Sequence, residues 1–357
     1  MPQRSVSASS LSDALPRRPL GATGQSSTIV AFGSIAATVS REPQDGHKLL
    51  FKAIDEWGIN HVDVAPSYAN GEAERRVGEV MKSRRKNVFL ACKTLKRTAQ
   101  EAEEELHRSL QTLNTDHFDL YQFHALDTPE DLKTVLGPGG AMELFARAQQ
   151  QGKIRFIGVT GHRADTQLQL VRQAPLNTVM LPVDFIDRFA AGLSAESGLI
   201  PVCRQKNIGV IAIKSTMRGK VKDKASAYRY TLSQAVSTTI PAGNPDDHEI
   251  AVRTADRFQP MTQEDETGFL ARHEELKGIC RQCNYCLPCP VGIEIPRVLA
   301  IWLRMGRFPA PYVMRWLKDL PVSPAKCNRC GECERRCPYE IPIADTLLNH
   351  VAPKLNQ

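Results

Sequence analysis

Val88-Phe-Leu-Ala-Cys-Lys93 and Leu120-Tyr-Gln-Phe-His124 are the two stretches on which the fold turns. Each is a short apolar run that ends in a polar residue, the pattern of a strand buried along its length with its tip at a surface. Similar runs lie on either side: His61-Val-Asp63, Phe156-Ile-Gly-Val-Thr160, Val179-Met-Leu-Pro182, Ile208-Gly-Val-Ile-Ala-Ile213 and Ser237-Thr-Thr-Ile-Pro241, with Thr28-Ile-Val-Ala31 as a first strand. Between them the apolar residues take helical spacing, as in Ala102, Leu106, Leu110 and Leu113, in a stretch opened by acids that suit a helix N-terminal turn. Strand and helix alternating in this way predict an α/β fold, a parallel (β/α)8 TIM barrel over residues 18–265.

In such barrels the chemistry sits where the strands end. Asp63, Lys93 and His124 end the second, third and fourth predicted strands, and Tyr68 follows Asp63 on a loop that Pro66 biases away from helix. Each residue alone has a plainer use: an ion pair at the mouth, a packed loop tyrosine, a satisfied core histidine. Together on one rim they make a candidate catalytic group. The family resemblance set out at the end of this subsection implies carbonyl reduction at such a group: the new alkoxide requires a proton, and a phenol with a pKa near 10 needs help to exchange one at neutral pH. On that resemblance Lys93, kept charged by Asp63, is expected to favour the tyrosinate form, and His124 to hold the carbonyl oxygen.

The chain has ten cysteines, of which Cys92 and Cys203 fall in apolar contexts and read as core. The others form two runs, Cys280, Cys283, Cys286, Cys289 and Cys327, Cys330, Cys333, Cys337, each followed by proline. This spacing suits two 4Fe-4S clusters, with Cys337 expected to complete the first set and Cys289 the second, as in two-cluster ferredoxins. The first run has one residue fewer before its last cysteine, which leaves the exchange of ligands open. Structural zinc and disulfides are the alternatives; zinc usually takes two separated pairs, and disulfides suit an oxidising compartment. The runs mark a second, small and mainly α-helical ferredoxin-like domain over 266–357. Ile295 to Leu320 is expected to form two short helices split at Pro309-Ala-Pro311, with Trp302, Tyr312 and Trp316 among their aromatics.

The net charge of +7 is spread along the chain, with thirteen basic and nine acidic residues from Glu266 onward, so no basic stripe suggests a nucleic-acid partner. No apolar run is long enough to span a bilayer, so no membrane insertion is expected. Residues 1–17, Ser-rich and without an apolar stretch, read as a flexible leader and not a secretory signal, which favours a cytoplasmic protein.

Arg18-Pro-Leu-Gly21, Gly58-Ile-Asn-His-Val-Asp63 with Tyr68, Gly71-Glu72, Ser109-Leu-Gln-Thr-Leu113, Asp119-Leu-Tyr-Gln-Phe-His124 and Gly152-Lys-Ile-Arg-Phe-Ile-Gly158 resemble motifs of the aldo-keto reductase family. The nearest resemblance is to its branch with a C-terminal ferredoxin-like extension. The family implies reversible carbonyl/alcohol chemistry on a small-molecule substrate, the tetrad Asp63, Tyr68, Lys93 and His124, and NADP or NAD as the hydride carrier. Its cofactor contacts would fall on Thr160, Lys214, Ser215, Gly243 and Asn244. The chain departs from the family where a Ser-Asn pair, a Gln and a stacking Tyr grip the nicotinamide: it has Thr160-Gly161-His162, Met180-Leu181-Pro182 and Ile213-Lys214-Ser215. Asp246 and Asp247 lie beside the region where the family reads a 2'-phosphate and would repel one unless Arg253 offsets them. The clusters could exchange electrons with a redox protein partner. A second reading makes the barrel a docking scaffold for an electron-transfer subunit, and a third a metal-stabilised binding protein. A hydride carries two electrons and a cluster accepts one, so any coupling between the domains needs an intermediary.

Overall fold

The computed structural model describes residues 14–185, 198–241, 243–273, 276, 278–303, 305 and 310–356. An antiparallel hairpin, β1 (Arg17–Pro19) and β2 (Ser26–Thr28), precedes an eight-stranded parallel sheet. Its strands are β3 (Phe32–Gly33), β4 (His61–Asp63), β5 (Phe89–Thr94), β6 (Phe118–Phe123), β7 (Ile154–Thr160), β8 (Thr178–Pro182), β9 (Gly209–Ile213) and β10 (Thr238–Ile240), each beside its sequence neighbours. The sheet closes where Ala31 N donates to Thr239 O (2.9 Å) and Thr239 N to Ile29 O (2.9 Å).

The strand expected at Thr28–Ala31 is divided. Thr28 ends the hairpin, and the chain crosses at Val30 to enter the barrel at Phe32. The end of the expected leader, residues 1–17, belongs to the fold. Residues 1–13 lie outside the described part, but Leu15 is buried in the barrel's apolar layer and Arg17 begins the hairpin.

Alternation along each strand builds the barrel from two apolar sets. Leu20, Ala31, Phe89, Ala91, Leu120, Met180, Ile211 and Ile240 form the inner cluster. Val62, Leu90, Cys92, Tyr121 and Phe123, one residue out of step, join the larger cluster beneath the helices, and Cys203 is buried there too. The helix Ala99–Thr112 is typical of the outer ring: Thr98 caps it by accepting from Glu101 N, and Ala102, Leu106 and Leu110 turn inward.

The helix Gln263–Ala271 runs through the boundary expected at 265, with a capping box between Thr262 and Asp265. Its Phe269 packs with Phe185, Met217 and Tyr230, and Ile279 and Tyr339 of the cysteine-rich part adjoin the same cluster. Beyond it lie the two expected helices, Ile295–Trp302 and Ala310–Lys318; the second begins inside the Pro309-Ala-Pro311 stretch, and residues 306–309 lie outside the described part. Ile293, Ile295, Val298, Leu299, Val313, Leu317, Ile343, Leu347 and Val351 make the apolar core of this region. No helix among the described residues is long and apolar enough to cross a membrane.

Candidate active site and cluster ligands

The ends of β4, β5 and β6 converge as alternation requires. Ala91 and Lys93 share the inner face of β5, and Leu120, Gln122 and His124 that of β6 and its extension. Lys93 Nζ pairs with Asp63 Oδ1 and donates to Val64 O (3.2 Å), while Gln122 Nε2 donates to Asp63 Oδ2 (3.2 Å). Lys93 and Asp63 are both buried. Burial works against the ammonium of Lys93, but Asp63 and Tyr68 outweigh it and raise its pKa. Burial likewise pushes Asp63 up, against the pull of Lys93 and Gln122.

Tyr68 lies over this pair, with Lys93 Nζ 4.7 Å from the ring centroid. Its ring meets His124 edge to face, centroids 5.5 Å apart at 85°. The placement depends on an abrupt change of direction. Tyr68 N bonds to Ala65 O (3.1 Å), and Ala69, Asn70 and Gly71 follow in the left-handed region, with φ of 49°, 53° and 82°. Only glycine adopts this freely, so the first two residues store strain beside the site. Burial raises the Tyr68 pKa, with Asp63 adding to it and Lys93 opposing. Lys93 acts in the expected sense, favouring the tyrosinate, while burial acts against it. His124 is held neutral, its pKa lowered to about 3 by burial and then by Lys93, His162 and Arg97. Arg97 fixes its turn by donating to the carbonyls of His124 (2.8 Å) and Ala125 (3.0 Å).

A cavity of about 610 Å³ opens above these groups. It is lined by Asp63, Tyr68 and His124, and also by Thr160, Lys214, Gly243 and Asn244. Four of the five expected cofactor contacts thus reach the cavity. Ser215 does not line it: it is buried and its hydroxyl is 2.9 Å from that of Thr239. Thr160 Oγ1 already accepts from Ala125 N (3.0 Å). Gly243 is needed for close approach, because a Cβ there would lie 2.7 Å from Ile35 Cγ2. Asn244 caps the helix Pro245–Asp256 through Asp247 N (2.7 Å), and Asp247, paired with Lys224, also lines the cavity. Arg253 pairs with Glu249 (2.8 Å).

Sequence reasoning missed several members of this site. Gln122 was legible as a lone amide inside an apolar strand. Asp127 was not, because it lies in a loop and its partner is distant: it accepts from the backbone of His162 and of Arg163 (3.2 Å), and from His162 Nδ1 (2.8 Å). The pairing of Lys224 with Asp247 gave no sequence signal either.

In the cysteine-rich part, Cys280, Cys283, Cys286 and Cys337 line one small enclosed cavity. Gln282 N donates to Cys280 Sγ (3.4 Å), and Gln282 and Asn284 take left-handed φ of 59° and 67° that curl the loop around the sulfurs. Cys289, Cys327 and Cys333 adjoin the same apolar core, and Cys330 is exposed on the loop between the last two. Arg336 ties the runs together, donating to the carbonyls of Cys286 (3.1 Å) and Pro288 (2.7 Å). Among the described residues no group of three or more His, Cys, Asp or Glu side chains is close enough to hold a single metal ion. Four cysteines on one cavity match the all-thiolate donor set of a 4Fe-4S cluster. Burial raises the pKa of Cys283 to about 11, and cationic iron is what would keep such a thiol ionised.

The aldo/keto reductase family model matches residues 30–248, and a 4Fe-4S dicluster domain model matches residues 279–341. The chain belongs to the aldo/keto reductase family and carries a 4Fe-4S dicluster domain with two clusters. It is similar to the aldo-keto reductase YhdN of Bacillus subtilis, 31% identical over 184 residues, or 48% of this chain and 52% of that protein. It is also similar to the methylglyoxal reductase YeaE of Escherichia coli, 34% identical over 164 residues, or 44% of this chain and 53% of that protein. The chain thus spans about half the length of these two relatives. In fold it matches the holo form of the aldo-keto reductase AKR11C1 from Bacillus halodurans, with a TM-score of 0.61 and 22% identity over 72% of this chain and 96% of that one.

Proposed function

We propose that the protein interconverts small-molecule carbonyl compounds and alcohols, with NADH or NADPH as hydride source and Tyr68 as proton donor, while its clusters transfer electrons to or from a redox protein partner. The observation that carries this reading is the common cavity of Tyr68, His124 and Asp63, with Lys93 buried beneath the phenol. The volume suits a small ligand and part of a cofactor. Lys214, Gly243 and Asn244 would hold the dinucleotide near a helix N-terminus, which favours phosphate, with Thr160 closer to the tetrad. When bound, the nicotinamide supplies hydride to the carbonyl carbon.

The protein's own groups then manage the oxygen. Neutral His124 donates a hydrogen bond to it and sets its orientation. The protonated Tyr68 delivers the proton, and Lys93, charged because of Asp63, stabilises the phenolate left behind. In the oxidation direction the same phenolate is the base. The eight cysteines hold the clusters, Cys280, Cys283, Cys286 and Cys337 holding the first and Cys327, Cys330, Cys333 and Cys289 the second.

Tyr68→Phe keeps the ring and removes the proton, so carbonyl-dependent NAD(P)H oxidation should fall by about 10²- to 10⁴-fold with iron content unchanged. Ordinary turnover by that variant would remove Tyr68 from the mechanism. His162 gives the electron-transfer subunit its specific support, because it stands where the family grips nicotinamide and is bound instead to Asp127. That reading predicts cluster redox activity with no NAD(P)H binding at the mouth.

A further inference from the structure

His162 belongs to two cavities. One is the barrel mouth with Tyr68 and His124. The other, of about 460 Å³, lies between the two domains and is lined by Asp127, His162, Gln282, Asn284, Arg297 and Trp316, among others. Gln282 and Asn284 in turn border the small cavity enclosed by Cys280, Cys283, Cys286 and Cys337. The cleft therefore shares a wall residue with the proposed hydride site and others, Gln282 and Asn284 among them, with the cavity of the first cysteine set.

Contacts next to the cleft join the two domains. Arg281 and Asp184 form a buried ion pair between the cluster loop and the segment after β8. Tyr285 OH donates to Asp165 Oδ1 (2.7 Å), and the Arg163 guanidinium lies 4.2 Å from the Tyr285 ring centroid. On the barrel side, Asp127 fixes His162 through both its backbone and its ring.

We propose that this cleft binds a planar heteroaromatic redox carrier of the flavin class, which converts between hydride and single electrons. The inference rests on the nicotinamide reading above for its source of hydride. The lining suits such a ring: Trp316 brings an aromatic side chain to the wall, the amides of Gln282 and Asn284 offer donors and acceptors for an imide edge, and Arg297, paired with Glu294, brings a guanidinium for a phosphate. The volume is that of a small-molecule site. The electrons also balance. A nicotinamide C–H bond breaks and an N–H bond forms on the ring, which takes up one further proton. The ring then gives two electrons singly, each reducing one cluster by one electron, and releases two protons. Both protons pass to the solvent. Two clusters together hold what one hydride brings.

The test uses anaerobically prepared protein with both clusters, and FMN as the probe. Quenching of FMN fluorescence should show saturable binding, and Trp316→Ala and Arg297→Glu should each weaken it about tenfold or more with iron content unchanged. FMN should also speed the bleaching of cluster absorption by NADH or NADPH, and Arg297→Glu should remove that gain. Arg297 is half exposed, so its replacement does not threaten the fold. Absence of saturable FMN binding, or equal binding by both variants, overturns the inference. If FMN fails to bind while carbonyl-dependent NAD(P)H oxidation persists, this inference alone falls. If FMN binds in the cleft and NAD(P)H is never oxidised, the cleft site stands and the catalytic reading falls.

Discussion

The barrel and the cysteine-rich domain bury their chains by different means. The barrel fills its interior with Leu20, Phe89, Leu120, Met180 and Ile211 and wraps a second apolar layer between strands and helices. The cysteine-rich domain, about 90 residues long, has one small core, and Cys286 and Cys333 occupy positions in it beside Val298, Leu299 and Leu347. A small domain that places metal ligands in its core gains part of its folding free energy from the metal. The barrel therefore carries its own stability, and the other domain depends on its clusters and on the surface it rests against.

The largest effect should come from breaking that dependence. Cys337→Ala removes the one sulfur of the first cavity that comes from the second run. Iron content should fall by about half, and amide exchange should rise through residues 279–351 while the barrel strands keep their protection. Full iron content in this variant would show that Cys337 holds no part of the first cluster. Exchange rising equally in β3 to β10 would show that the barrel needs the second domain to fold.

Acid should reach the barrel by a route of its own, through two buried histidines. The pKa values of His61 and His248 are lowered to about 4, chiefly by burial. His61 sits against Ser27 at the base of β4, and His248 Nε2 accepts from Gly33 N (3.1 Å). A lowered histidine pKa means that the unfolded chain binds the proton more tightly, so the stabilisation is complete above pH 6.5 and is lost as pH falls from 6.5 toward 4. Each group is worth on the order of 3 kcal/mol across that window. Both belong to the barrel. Protection of β3 and β4 should fall over this range, after correction for intrinsic exchange. A flat profile would mean that both imidazoles charge without cost in the folded barrel.

The alternation of Val88–Lys93 and Leu120–His124 already contained the barrel and the inward direction of Lys93 and His124, because a buried strand has only two faces to offer. The spacing of the cysteines contained the second domain for a similar local reason. What remained hidden was set by contacts between distant segments. Val30 leaves the expected first strand because Thr239 offers the closing hydrogen bonds, and Ser215 faces Thr239 because β9 and β10 are neighbours. The direction of the Tyr68 pKa shift depends on how far water is withdrawn from the ring, which no spacing records. The Asp127–His162 and Asp184–Arg281 pairs each join residues far apart in sequence, and their members look ordinary where they stand.

The smallest effect tests the seam between the two regions. Tyr285→Phe deletes the hydroxyl that donates to Asp165 and keeps the ring beneath Arg163. Asp165 also accepts from Arg163 (2.7 Å), so its carboxylate keeps a partner and the loss is that of one hydrogen bond, about 1 kcal/mol at a half-buried site. If the second domain is held against the barrel partly by this contact, its amide exchange should quicken about fivefold with the barrel unchanged, the factor that 1 kcal/mol sets. Arg281 and the apolar contacts of Phe185 and Phe269 would continue to hold the seam. No change in either region would assign the docking of the cluster domain to that buried pair and those aromatics, and would leave Tyr285 as a cover for the cluster loop alone.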